Sequence, residues 1–146
     1  GFVMLGILIA LLSGALMSIQ GVFNTEVTKN AGIWAAGGWV QLTAFLTCVI
    51  AWFVTGKSEL AAIFQIDNKY MLLGGVIGAF ITFTVIKSMS SLGPAKAVMI
   101  IVVAQLLVAY LIELSGMFGV EKVGFDWKKL IGMGLAIAGI VVFKWD

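Results

Sequence analysis

Charge is absent from five long stretches of this chain: residues 1–25, 30–56, 70–86, 97–112 and 130–143 contain no Asp, Glu, Lys or Arg. An α-helix rises about 1.5 Å per residue, so about 20 apolar residues cross the ~30 Å hydrocarbon layer of a bilayer. Flanking lysines serve a shorter run by laying their methylene stems along lipid and keeping the ammonium among the headgroups. The pattern predicts an all-α, polytopic membrane protein with five transmembrane helices, over 2–23, 33–55, 70–88, 95–115 and 127–145. These form a single transmembrane domain, 1–146, because the connections between them are too short to hold another.

Composition points to the same solvent. Apolar residues make up 62% of the chain and charged residues 11%, with a mean hydropathy of +1.14. A soluble domain carries about 25% charged and 45–50% apolar residues. In water this chain would have too few polar side chains to cover its Leu, Ile, Val and Phe. The first apolar stretch exceeds the usual length of about 7–15 residues in a signal peptide and lacks a basic start and an A-x-A site, so it is expected to stay in the mature protein. Trp127 and Trp145, with Lys128, Lys129 and Lys144 beside them, frame the fifth span in the way that amphipathic rings and ammonium groups frame a bilayer.

Several kinds of chemistry lack their residues. There is no histidine, and Cys48 is the single cysteine, so one protomer holds neither a disulfide nor a Cys-based metal site. No carboxylates are paired at mid-membrane, and the glycine-rich runs lie inside spans and match no phosphate-binding motif. The expectation is a protein that is not an enzyme, takes no cofactor or metal and binds no nucleic acid.

Orientation is weakly specified. With five spans, Lys57, Lys69, Lys122, Lys128 and Lys129 fall on one side and Lys29, Lys87, Lys96 and Lys144 on the other, with no arginine. A clear Lys/Arg excess normally fixes the cytoplasmic side. A five-to-four split allows a single topology with the amino terminus inside, held by the lysines near the last span. It equally allows insertion both ways, so that two copies pair head to tail about an axis in the membrane plane and supply the inverted symmetry used in alternating access.

Polar residues within the spans mark candidate sites. Ser13, Met17, Gln20 and Asn24 follow spacings of 4, 3 and 4 and share one helix face. Gln41 and Gln105 lie in the middle of the second and fourth spans. A side-chain amide is costly in hydrocarbon when unpaired, so each must meet a neighbouring helix or a hydrated cavity. One reading is interhelical adhesion; the other is a mid-membrane cavity that binds a polar or cationic solute, helped by the ring faces of Trp39 or Phe80. Glu113, the deepest acid, is a candidate for proton or ion coupling or an interfacial group. Lys87 and Lys96 flank the third connection, where lysines ordinarily snorkel. Gly74-x-x-x-Gly78 and Gly75-x-x-x-Ala79 in the third span, and Gly132, Gly134, Ala138 and Gly139 in the fifth, form small-residue ridges suited to close helix packing or a dimer seam.

Several of these residues fall in a familiar order. Gly14-Ala15-x-x-Ser18-x-Gln20-x-x-x-Asn24, Leu73-Gly74-Gly75-x-x-Gly78-Ala79, Ala104-Gln105-Leu106 running on to Glu113-x-x-Gly116-x-Phe118-Gly119, then Leu130-Ile131-Gly132 and Ala138-Gly139, span about 14–141. The chain resembles the YdcZ-type family of bacterial five-helix inner-membrane proteins. The resemblance implies membership of the drug/metabolite transporter superfamily, whose members assemble as antiparallel homodimers, as heterodimers of homologous chains or as fused double-length chains. The family is also similar to the small multidrug resistance exporters, which carry a glutamate in their first span; here no acid precedes Glu26.

The expected function is an inner-membrane transporter, an exporter, of a small polar or organic solute by alternating access in an antiparallel dimer embedded in lipid. The alternatives are a dual-topology channel and a non-transporting scaffold or heterodimer subunit.

Overall fold

Glycine and proline punctuate five α-helices. In the computed structural model, which describes residues 1–144, these are α1 (Phe2–Ala31), α2 (Ile33–Val54), α3 (Gly74–Leu92), α4 (Pro94–Ser115) and α5 (Trp127–Lys144). Short 3-10 segments cover Leu60–Gln65, Lys69–Leu73 and Met117–Gly119, and no strand occurs among the described residues. Trp145, the outer half of the aromatic frame expected around the fifth span, lies outside the described residues.

The first connection, expected over 24–32, is almost entirely helix. Charge does not end α1, because Glu26 and Lys29 pair at 3.0 Å one turn apart on its surface. The hydroxyls of Thr25 and Thr28 return to the carbonyls of Gly21 and Asn24, each at 2.7 Å, and so present no unpaired donor to lipid. The helix stops at Gly32, whose φ of 87° suits a residue without Cβ and whose N–H still reaches Thr28 O. α2 begins at the next residue and turns back beside α1.

α4 starts cleanly because Pro94 occupies its first turn, where a missing N–H forfeits no helical bond. It ends at Gly116 in the left-handed conformation, with the Gly116 N–H bonded to Ile112 O at 2.9 Å.

Four segments are long and apolar enough to cross a membrane: Phe2–Ala31, Ile33–Val54, Lys69–Leu92 and Pro94–Ser115. The fifth expected span differs. α5 has 18 residues, but Lys128, Lys129 and Lys144 occupy its ends, and the uncharged run of 14 between them covers only about 21 Å. A crossing by α5 therefore requires those lysines to snorkel into both headgroup layers.

The chain forms two compact units, Gly1–Ser90 and Ser91–Asp146. In the first, Gly21 is the point of close approach between α1 and α3: a Cβ there would stand 2.8 Å from Met89 Sδ. Thr25 Oγ1 lies 3.9 Å from the same sulfur, Gln41 bonds Thr82, and Trp34 stacks on Phe83 with ring centroids 4.8 Å apart. In the second unit α5 packs on α4. The buried Tyr110 accepts the Asp126 N–H at its hydroxyl at 2.9 Å, and Lys129 Nζ stands 5.3 Å over the Tyr110 ring.

The expected glycine ridges do not make these contacts. A Cβ added at Gly74, Gly75 or Gly78, or at Gly132, Gly134 or Gly139, would meet no atom within 4 Å. Large apolar side chains such as Phe2, Leu11, Phe45, Leu111 and Leu135 likewise point outward. Such a surface suits lipid, where the tails are as apolar as leucine and helices associate by van der Waals contact and hydrogen bonds.

Candidate functional site: a cavity between the first two helices

A cavity of about 630 Å³, broadly open on one side, runs along α1 and α2 within the first unit, and most of its wall residues are exposed. On α1 it is lined by Ser13, Met17, Gln20 and Asn24, with Leu16, Ile19, Phe23 and Val27 between them. On α2 the wall is Trp39, Val40, Thr43, Ala44 and Thr47. Its volume falls within the range of about 300–1,000 Å³ usual for small-molecule sites, and its mix of mainly apolar walls with a few polar groups is also usual.

Helical spacing accounts for the α1 wall. Residues 13, 17, 20 and 24 stack on one face, and 16, 23 and 27 widen it with apolar surface. The hydroxyls on the α2 wall are already committed as donors. Thr43 Oγ1 donates to Trp39 O at 2.9 Å, with Val40 O at 3.1 Å, and Thr47 Oγ1 donates to Thr43 O at 2.8 Å. With its proton committed, each oxygen keeps only lone pairs to offer a solute, so threonine here accepts rather than donates. Ser13 Oγ lies 3.9 Å from Met17 Sδ.

Asn24 stands apart from these. It is the buried polar residue of the described chain, with 8% of its surface exposed, yet its amide forms no hydrogen bond with any described protein group. The amide is not sealed in, since no fully enclosed side-chain nitrogen or oxygen lacks a partner. Asn24 is one of the residues that line the cavity. Gln20, one turn earlier, presents a second amide to the same space. Each amide offers two N–H donors and a carbonyl acceptor.

The family model described as “putative inner membrane exporter, YdcZ” matches residues 5–142, nearly the whole chain. The chain belongs to the YdcZ family. It is an integral inner-membrane protein of a family described by transport rather than catalysis. No curated protein and no solved structure matches it.

The other candidate residues of this YdcZ-family protein lie elsewhere. Gln41 is on α2 but off the cavity wall; its Nε2 donates to Thr82 Oγ1 on α3 at 3.0 Å, and that hydroxyl continues to Gly78 O at 3.0 Å. Gln105 is exposed on α4, in the second unit, and Phe80 is exposed on α3. Glu113 is half-buried near the end of α4, where its backbone carbonyl accepts the Val123 N–H at 2.9 Å. Among the described residues no three His, Cys, Asp or Glu side chains converge as metal ligands would.

Thr43, Thr47 and Phe23 are wall residues that sequence reasoning passes over. A threonine that bonds its own helix is at ease in lipid, so it carries no distress signal of the kind a lone amide does.

Proposed function

We propose that this protein exports a small polar or organic solute, which occupies the cavity between α1 and α2 at mid-membrane. The observation that carries the reading is Asn24: a buried amide that opens on a cavity and has no protein partner among the described residues. An amide left unpaired in an apolar interior costs several kcal/mol by transfer measurements; the Asn24 amide is not enclosed, so water or solute can complete it.

The working unit in this reading is an antiparallel homodimer, or a heterodimer with a homologous chain, in which five spans per copy alternate access around the cavity. Three features support it. The five-to-four lysine split leaves insertion in both orientations open. A Cβ at Gly74, Gly75 or Gly78 would meet no described atom within 4 Å, and a small-residue ridge of this spacing suits a second copy. Gln105, exposed on α4, then has a partner available in that copy.

The test is reconstitution. A melting screen on purified protein against cations, anions, amino acids and drugs selects a solute, and flux of that solute is measured in liposomes. Saturation with counterflow is expected of an alternating-access carrier; flux that neither saturates nor shows counterflow would indicate a channel.

A further inference from the structure

Resting on that reading of the cavity, we propose that the solute crosses in an uncharged form, as a molecule with an apolar or aromatic body and an amide-like polar end. The cavity wall contains no ionisable side chain: its polar groups are the amides of Gln20 and Asn24, the hydroxyls of Ser13, Thr43 and Thr47 and the indole of Trp39. Glu26, just beyond Asn24 on α1, is off the wall, exposed and paired with Lys29.

A second copy does not change this balance. Residues 1–25, 30–56, 70–86 and 97–112 carry no Asp, Glu, Lys or Arg, so every charge in the first four helices sits toward a helix end. Whichever face a partner copy applied, it would bring no fixed charge to the middle of the membrane. Transporters without such charges hold ions at the ends of broken helices, where unpaired N–H and C=O groups gather. Here α1 runs unbroken through Phe2–Ala31 and α2 through Ile33–Val54, past the whole cavity wall. An ion on this path would find no opposing charge, only amides, hydroxyls and ring faces, which by the cost of mid-membrane charge disfavours it by roughly 100-fold.

The same wall says what a neutral solute should look like. Gln20 and Asn24 are four residues apart, hence neighbours on one face, and between them offer donors and acceptors in the pairing that a carboxamide, lactam or urea returns. Phe23 and Trp39 supply ring faces for the body.

Benzamide, benzamidinium and benzoate share a ring and differ in charge at the polar end, so they test the proposal directly. Thr43→Cys is introduced into a Cys48→Ser background, with Thr47→Cys as a second reporter should the first fold poorly. The rate of alkylation by N-ethylmaleimide is then measured in liposomes with each compound. Benzamide should slow alkylation about tenfold at saturation, with either ion needing roughly 100 times the concentration for the same effect. Equal or better protection by an ion, or no protection by benzamide, overturns the proposal. Asn24→Leu separates the two claims. Protection by benzamide that survives this change shows that the Asn24 amide does not hold the solute and defeats the reading built on that residue. Protection that is lost in Asn24→Leu, yet in the parent is equal for all three compounds, defeats only the claim about charge.

Discussion

Gln41 on α2 donates from Nε2 to Thr82 Oγ1 on α3 at 3.0 Å, a side-chain bond that ties two membrane helices together. Such bonds contribute about 0.6–2 kcal/mol within lipid. Gln41→Leu is therefore expected to lower stability by about that much, measured by thermal or denaturant unfolding in detergent, and Thr82→Val by a similar amount. The double variant should lose little more than either single, because both remove the same bond. Transport per folded molecule should be largely retained.

Met89 leaves no room at Gly21. An alanine Cβ would stand 2.8 Å from Met89 Sδ, but that thioether is the flexible end of its side chain and can swing. Gly21→Ala is expected to be mild and Gly21→Val to cost about 1–3 kcal/mol by forcing α1 and α3 apart. At Gly78 an added Cβ would meet no described atom within 4 Å, so Gly78→Val enters open space at its Cβ. It should leave the unfolding of a detergent-separated protomer unchanged while lowering cross-linking between copies; unaltered cross-linking would contradict a seam on the α3 ridge.

Orientation follows from the lysine split. A reporter fused after residue 146 should register both sides of the membrane, and Lys128→Ala with Lys129→Ala should shift the ratio severalfold. One fixed orientation, unmoved by these changes, would contradict dual insertion.

Much of the architecture is legible in the spacing of charges, since a run free of Asp, Glu, Lys and Arg has few uses outside a bilayer. Helix ends are less so. Glu26 and Lys29 read as the start of a loop, but an ion pair one turn apart and two back-bonded threonines let α1 run on to Gly32. The stripe of Ser13, Met17, Gln20 and Asn24 could be placed on one face because helical geometry is local. Which helix that face meets is a tertiary matter, so Thr43 and Thr47 gave no signal. Glycines show the same limit. Gly74-x-x-x-Gly78 has the familiar spacing, whereas the glycine used inside the unit, Gly21, is identifiable only from the position of Met89.

Asn24 tests the central claim most directly, because its amide, unlike that of Gln41, gives up no protein bond when removed. Asn24→Leu keeps the approximate size of the side chain and deletes a buried polar group, so its melting temperature should be unchanged or higher, by an amount worth up to about 1 kcal/mol. Uptake of the solute selected by the melting screen, and the stabilisation that solute produces, should be lost. Both quantities are measured on one preparation of Asn24→Leu, alongside Gln20→Leu. Loss of uptake with stability intact is the expected result; full uptake in both variants, or uptake that falls only as far as stability falls, would contradict a solute site in this cavity.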